Sequence, residues 1–371
     1  MKLSFDDGAI EWPGLSLAAG AELHDPEDRT AWLALRNQDV TASTAGALLG
    51  VHDYQTPLGL WSLKAGRTKE DPEETSPMRR GRLLEPVALQ MLREDRPNWQ
   101  VKGGRNYYWR DQNARIGATP DCYGFDENGT PIVVQFKTVE PMVFRNKWQG
   151  GDKFGVIEPP LWIVVQALIE AKLTGANRAF VAALVVGFGI DLYVVEIPLH
   201  DGVLRRVMDE VATFWESIAT GTAPTPDFKK DSDLIVRLFP VKQGVVLDLR
   251  DDNMLPALVE RDIEYAAAAK TANDLRDAVR SEIRYKLGIA STKGSLVGNG
   301  QTDDQTMALY TGGIITAKNI MRRSYTTKDT TYLDLRLKPG KEAGDEQTKR
   351  AVKPKRGVET TVATYDDPEV F

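Results

Sequence analysis

The chain has little cysteine and little histidine: one cysteine and three histidines in 371 residues. A single cysteine excludes a disulfide framework, a cysteine-ligated zinc site and a four-cysteine iron–sulfur cluster. The histidines His24, His52 and His200 lie far apart in the sequence and suggest no metal cluster. The simplest compartment for such a chain is a reducing one, so we expect a cytoplasmic protein.

Long hydrophobic runs are also missing. The longest one, AFVAALVVGFGI at residues 179–190, is too short for a membrane span and predicts a buried strand. The first ten residues lack the basic start and apolar centre of a signal peptide, so we expect no membrane partner. The net charge of −6 argues against a uniformly basic nucleic-acid binder, and any such contact would have to come from local patches.

The composition changes near residue 222, which predicts two domains, 1–222 and 223–371. Residues 220–233 are rich in proline, threonine and charge, as is typical of a linker. Residues 254–288 are rich in alanine, leucine, glutamate and arginine, and predict a long helix or a helical hairpin ended by Gly288. Short strands of a β-hairpin are expected within residues 294–338.

A basic arm is predicted near the C-terminus. Between Lys318 and Arg356 there are twelve lysines and arginines and five acids. The arm is expected to bind DNA or a partner, whereas a solvated, disordered tail is the alternative. A preorganised surface loses less entropy on binding than a tail does. We therefore expect a larger contribution to DNA binding from the folded residues around the hairpin than from the tail beyond Gly340; these residues are Arg322, Arg323, Lys328, Arg336 and Lys338.

Helical and strand patterns alternate in the first domain. Residues 76–95 predict a helix on which Glu85 borders the apolar face. Three strand candidates follow, at residues 106–111, 114–125 and 131–139. After them come a helix that contains Gln166 and is ended by Gly175, two more strands and an amphipathic helix. This order predicts the α/β fold class, with a mixed central sheet flanked by helices.

A carboxylate and a lysine stand on one predicted hairpin. Asp121 is expected to end a strand, and the turn DENGTP leads into IVVQFK, on which residues 135 and 137 share a face. Magnesium takes oxygen ligands from one or two carboxylates, and a nearby lysine can steady the charge on a phosphorane. The pattern is typical of a metal-dependent phosphodiesterase site. Taken alone, Asp121 fits better as a turn residue after Pro120.

Five motifs in a fixed order resemble a known family. They are AWLALRNQDVTASTAGALLG, RRGRLLEPVA, IGATPDCYG, VVQFKTV and WIVVQALIEAKLTGA. Over roughly residues 30–220 they resemble the YqaJ-like viral recombinases, the lambda-exonuclease-type branch of the PD-(D/E)XK nucleases. The resemblance implies a restriction-endonuclease-like core that uses Mg²⁺ or Mn²⁺.

The same resemblance implies roles for the residues of the hairpin and its neighbours. Asp121 would be the central metal ligand, and position 135 would be the second carboxylate. The main-chain carbonyl of Phe136 would complete the coordination sphere, and Glu85 would help to hold the site from its helix. Lys137 would be the catalytic lysine.

Three further residues receive roles by resemblance. Gln166 would be the helix glutamine that orients the lysine or the attacking water. Arg36 and Ser43 match the positions that bind the terminal phosphate of a duplex end.

The departure from the pattern is Gln135, an amide where the chemistry usually has a carboxylate. Either Gln is natural, since some branches of the superfamily tolerate QxK, or the chain is a Glu→Gln variant made to trap substrate. The second explanation is favoured because every other motif is intact. In both cases we expect weaker metal binding and slow turnover.

The resemblance implies a DNA exonuclease of phage-type recombination in a bacterial host or phage-infected cell. It would resect double-stranded DNA ends with magnesium and leave single-stranded tails for an annealing protein. Family members of this kind form homo-oligomeric rings. Two alternatives stay open: a structure-specific or restriction-like endonuclease, and a non-catalytic protein that binds DNA ends.

Overall fold

A computed structural model describes residues 1–13, 21–69, 74–103, 106–148, 157–241, 244, 246–292, 305–310 and 313–318. They belong to two compact units, of which the first is Met1–Val241 and the second follows it. None of the helices in these ranges has the length and apolar character that a membrane crossing requires.

The first unit alternates strands and helices. Its strands are β1 (Lys2–Phe5), β2 (Gly8–Glu11), β3 (Ala21–His24), β4 (Val40–Thr41), β5 (Gln100–Gly103), β6 (Tyr108–Asp111), β7 (Ile116–Ala118), β8 (Cys122–Phe125), β9 (Pro131–Val139), β10 (Arg178–Val186) and β11 (Ile190–Ile197). Its helices are α1 (Arg29–Gln38), α2 (Ala42–Ala45), α3 (Pro57–Lys64), α4 (Ser76–Asp95), α5 (Pro141–Lys147), α6 (Leu161–Thr174), α7 (Asp201–Thr220) and α8 (Ser232–Leu238).

The central sheet has the strand order β11-β10-β9-β8-β5. β9 and β10 are parallel and the other neighbours are antiparallel. Helix α4 packs on one face, where Ala88 and Leu92 join one apolar cluster, and α6 packs on the other. The predicted α/β class, a mixed sheet flanked by helices, is confirmed.

Strand β9 divides its side chains between the two faces because the side chains of a strand alternate. Val134 and Phe136 lie in the cluster with α4, and Val133 and Val139 lie in the cluster with α6. The odd-numbered positions of β9, residues 135 and 137 among them, therefore face α6. The helix α6 ends at Gly175, whose φ of 71° is the left-handed conformation that glycine adopts readily.

Residues 114–125, predicted as one strand, form two strands in different sheets. β7 belongs to a four-stranded sheet of order β3-β6-β7-β4, and β8 belongs to the central sheet. Pro120 separates them, since proline has no N–H for the strand ladder. Asp121 was expected to end a strand, but it lies directly before β8.

The segment interpreted as a linker is part of the first unit. The buried Asp231 accepts a hydrogen bond of 2.6 Å from Thr56, and Leu234 of α8 joins the apolar core. These contacts explain why the first compact unit extends to Val241. The functional boundary at residue 222 stays a prediction.

The second unit contains one long helix, α9 (Leu255–Thr292). The prediction that Gly288 ends this helix is wrong, because the helix continues for four residues beyond it. Within the range predicted to form hairpin strands, β12 (Gln305–Tyr310) and β13 (Gly313–Lys318) pair antiparallel. The other predicted strand, at residues 330–338, lies outside the described residues.

Candidate active site

The β8–β9 hairpin brings Asp121 and Gln135 together. Cys122 pairs with Val134 across the antiparallel ladder, so the preceding residue of one strand lies opposite the following residue of the other. Gly103 on β5 allows this arrangement, because a Cβ there would lie only 2.8 Å from the main-chain oxygen of Asp121. The register of three strands thus fixes the position of the carboxylate.

The amide of Gln135 lies between two oxygen atoms. Its Nε2 donates to Asp121 Oδ2 and, at 3.3 Å, to the main-chain carbonyl of Phe136. The N–H of Phe136 donates to the same Asp121 oxygen at 2.8 Å. The other end of the amide, Gln135 Oε1, is buried without a hydrogen-bond partner among the described residues.

Two carboxyl groups of the site are difficult to ionise. Burial raises the pKa of Glu85, and the negative charge of Asp121 raises it further. Burial also raises the pKa of Asp121, which the charge of Lys137 and the hydrogen bond from Phe136 oppose. Negative charge is therefore poorly compensated by the protein here, and a cation would relieve it.

Lys137 is held between a glutamine and a tryptophan. Its Nζ donates to Gln166 Oε1 at 2.8 Å and lies 5.3 Å from the centroid of the Trp162 ring. Burial lowers the pKa of Lys137, and the charges of Asp121 and Glu170 oppose that effect. The predicted proximity of Lys137 and Gln166 is therefore present in the structure.

Glu170 is a member of the site that the sequence analysis missed. Gln166 Nε2 donates to Glu170 Oε1 at 2.8 Å, and Glu170 is only 1% exposed. Burial raises the pKa of this carboxyl group well above its ordinary value. The available signal was an acid in the apolar stretch of α6, four residues after Gln166 and thus on the same helix face.

Arg36 and Ser43 meet near the loop that carries Asp121. Arg36 Nη2 lies 3.5 Å from Ser43 Oγ, and the guanidinium carbon lies 4.3 Å from the ring centroid of Trp32. The Trp32 indole N–H donates to Thr119 at 3.0 Å, two residues before Asp121. Trp32 thereby connects the two residues predicted to bind a phosphate with the loop that carries Asp121.

His52 lies between Ser43 and Trp162, the tryptophan whose ring lies next to Lys137. Its Nδ1 accepts the backbone N–H groups of Tyr54 and Gln55, each at 3.0 Å, so its Nε2 carries the proton and donates to the carbonyl of Ser43 at 3.1 Å. The ring centroid lies 4.6 Å from that of Trp162. Burial lowers the pKa of His52.

The residues present fit a hard divalent cation. The carboxylate of Asp121, the carbonyl of Phe136 and the Oε1 of Gln135 are oxygen donors of the kind that Mg²⁺ takes. The buried Gln135 Oε1 has no partner among the described residues, and it would gain one if the amide turned over and placed Oε1 where its NH₂ group now lies. Among the described residues, no group of three or more acidic, histidine or cysteine side chains is placed so that it could hold a metal ion.

The structure therefore brings most of the predicted site residues into one region. These are Glu85, Asp121, Gln135, Phe136, Lys137 and Gln166, with Arg36 and Ser43 beside them. Their chemical roles stay predictions. The five residues of the basic arm, Arg322, Arg323, Lys328, Arg336 and Lys338, lie outside the described residues.

Several solved structures resemble the chain at low scores. The alkaline exonuclease of Laribacter hongkongensis is 19% identical with a TM-score of 0.40, and its complex with dAMP is 17% identical with a TM-score of 0.41; each match covers 56% of this chain and 99% of the other. The SOX protein of KSHV in an RNA complex is 12% identical with a TM-score of 0.33, over 56% of this chain and 74% of that one.

The family assignment rests on sequence. No curated protein matches the chain significantly. Residues 31–177 match the family model of the YqaJ-like viral recombinase domain, and this range contains all the motifs that carry the resemblance. The predicted resemblance to the YqaJ-like viral recombinases is thus confirmed for residues 31–177 of the chain.

Proposed function

We propose that this protein is a magnesium-dependent DNA exonuclease of phage-type recombination, which resects duplex ends and leaves single-stranded tails. The observation that carries the proposal is the Gln135 amide, which lies between Asp121 and the carbonyl of Phe136, two residues before Lys137. Two oxygens converge where a cation would bind, and a lysine stands beside them. The YqaJ-like domain supports the same function.

Asp121, the Phe136 carbonyl and residue 135 would hold the Mg²⁺ or Mn²⁺ ion, with Glu85 nearby. When bound, the ion supplies charge neutralisation on the scissile phosphate and a water of lowered pKa. The protein holds its own donors rigidly, since Asp121 and Phe136 belong to one hydrogen-bonded hairpin.

Lys137 would face the scissile phosphate. An ammonium group that is fixed before the reaction can stabilise the charge that develops on the phosphorane without reorganising. Gln166 fixes the ammonium group of Lys137 by accepting a hydrogen bond of 2.8 Å from it. Arg36 would bind the terminal phosphate of a duplex end with its fork of donors, and Ser43 would complete that site.

Gln135 would lower the activity of the chain as it stands. Its amide contributes no negative charge to the metal site. Its NH₂ group also donates to Asp121 and Phe136, the two groups that should bind the cation. This holds whether Gln135 is natural or a Glu→Gln variant.

Further parts of the proposal concern partners and location. We place the protein in the cytoplasm of a bacterial host or a phage-infected cell, with double-stranded DNA ends as substrate. A single-strand annealing protein would take up the product, and a homo-oligomeric ring would enclose the DNA. Residues 223–371 would bind DNA or a partner through the basic arm.

A second candidate is a non-catalytic protein that binds DNA ends, and the contact between Gln135 and Asp121 favours it. Digestion of end-labelled linear duplex by the chain and by its Gln135→Glu form, with and without magnesium, separates the two. The exonuclease requires magnesium-dependent shortening from the ends, at least with the Gln135→Glu form. No cleavage by either form favours end binding, and cleavage of closed circular DNA indicates an endonuclease.

A further inference from the structure

Glu170 is a buried acid that the proposed reaction does not use. It lies on α6, one helical turn after Gln166, with 1% of its surface exposed. The Gln166 amide accepts from Lys137 Nζ and donates to Glu170 Oε1, both at 2.8 Å. A continuous line of hydrogen bonds thus runs from the lysine of the site to a carboxyl group in the core.

The two ends of the Gln166 amide are chemically different. The Lys137 ammonium can only donate, so the amide oxygen must face it. The NH₂ group then faces Glu170, where an acceptor is required. A carboxyl group offers an acceptor oxygen whether it is ionised or protonated. A reversed amide would place its NH₂ group against the ammonium and break the contact with Lys137.

The side chain of Glu170 contacts the proposed site, whereas only its main chain takes part in the contact with Thr174. Thr174 Oγ1 donates to the main-chain oxygen of Glu170, a contact that any residue at this position would keep. The side chain accepts from Gln166, and its second oxygen, Oε2, has no partner among the described residues. Burying a carboxyl group with so little compensation is costly, and helix packing alone would be served better by an apolar side chain.

We propose that Glu170 is a positioning residue: it fixes the Gln166 amide and, through it, orients the Lys137 ammonium toward the scissile phosphate. The proposal rests on the proposed nuclease function. Because Glu170 is only 1% exposed, bulk water does not reach this position to replace the carboxyl group as the acceptor. Without Glu170, the buried NH₂ group of Gln166 loses its acceptor, which is costly. Rotation of the amide toward another acceptor would break its contact with Lys137.

Cleavage rates test the proposal in the full-length chain carrying Gln135→Glu. We expect Glu170→Met to slow single-turnover cleavage of linear duplex at saturating magnesium by roughly ten- to a hundredfold, because misplaced catalytic groups cost about that much. Glu170→Gln, which keeps an acceptor oxygen, should recover most of this loss. Glu216→Met, at an exposed position of α7, is the control and should cleave like the parent.

A double-mutant cycle separates positioning from a structural role. Gln166→Met already disconnects Glu170 from Lys137, so adding Glu170→Met should slow cleavage no further. Multiplied losses in the double variant would overturn the proposal, as would a parental rate for Glu170→Met or a Glu170→Gln form as slow as Glu170→Met. Thermal unfolding checks each fold, and Glu170→Leu replaces Glu170→Met if that variant does not fold.

A second measurement does not depend on cleavage. Crystal structures of the parent, Glu170→Gln and Glu170→Met should show the Lys137–Gln166 contact in the first two and a separation beyond about 3.5 Å in the third. An intact contact in Glu170→Met overturns the positioning role. If the parent does not cleave DNA but the contact breaks as expected, the nuclease function fails and the positioning of Lys137 stands.

Discussion

The side-chain amide of Gln135 donates a hydrogen bond to the Oδ2 atom of Asp121, across the β8–β9 hairpin. The same amide group donates to the carbonyl of Phe136. An NH₂ group thus lies near the two oxygens that should bind a cation, and a glutamate would replace that donor with an acceptor. This exchange makes residue 135 the first position to test.

Magnesium should stabilise the Gln135→Glu form more than the chain as it stands. Binding to the native state alone raises stability by RT ln(1 + [L]/Kd), so a tighter site gives a larger shift of the melting temperature. Thermal unfolding across a magnesium series measures this effect without any cleavage assay. Equal shifts in the two forms would show that residue 135 does not contact the ion.

Asp121→Ala in the Gln135→Glu background should abolish magnesium-dependent cleavage. Loss of a metal ligand removes several kcal/mol of transition-state stabilisation, or about a thousandfold in rate. End-labelled duplex digestion measures the loss, and Asp191→Ala, at an exposed acid of β11, serves as control. Activity within about tenfold of the parent would contradict the site.

Arg36→Ala should remove a preference for phosphorylated ends. If Arg36 and Ser43 bind a terminal phosphate, a 5′-phosphorylated duplex should be degraded faster than a 5′-hydroxyl duplex by the parent. The variant should degrade both at one rate, whereas Arg205→Ala on the exposed side of α7 should keep the difference. Equal rates with the parent protein would refute this role.

His52 should make the fold less stable in acid. Its pKa is lowered in the folded state by burial, so the unfolded chain binds more protons below about pH 6.5, the ordinary pKa of histidine. Stability is therefore fully present above that pH and falls as the pH drops toward the lowered folded value. Protonation of Nδ1 would also break its two bonds from Tyr54 and Gln55.

The measurement is the unfolding midpoint between about pH 5 and pH 8, the range in which histidine titrates. His52→Gln should be less stable at the upper end and lose part of the acid dependence, and His24→Gln should keep it. A parallel pH profile for His52→Gln and the parent would contradict the prediction.

Truncation of the chain should show whether the basic arm binds DNA. The logarithm of non-specific DNA affinity falls with the logarithm of salt concentration in proportion to the phosphate contacts made. A chain ending at Val241 should bind duplex more weakly and with a flatter salt slope than the full chain, while ending at Gly340 should have a smaller effect. The cut belongs after Val241, since Asp231 and Leu234 pack on the first unit. One common slope for all three chains would mean that the arm does not touch DNA.

The sequence predicted the long regular elements well. Residues 76–95 form α4 with the predicted ends, and α6 ends at Gly175 as expected, because apolar periodicity and terminal signals agree in both. The division of residues 114–125 between two sheets was missed, since strand pairing depends on distant partners that a local pattern does not contain. Pro120 was the local sign of the break.

The site was predictable in its members but not in its contacts. The two-residue strand spacing placed Gln135 and Lys137 on one face, and the motif order placed Gln166 near them. The pairing of Gln135 with Asp121 depends on side-chain orientation, which no spacing specifies. Glu170 was missed because an acid on a helix is more often solvated than buried.

The lone cysteine gives this chain a natural reporter. Cys122 is buried next to Asp121, and burial raises the pKa of its thiol, so a thiol-reactive dye should label it only when β8 opens. The rate of labelling then measures local opening of the β8–β9 hairpin at a position one residue from Asp121. Since the chain has no other cysteine, a fluorophore attached to an engineered surface cysteine would report DNA binding without interference from this one.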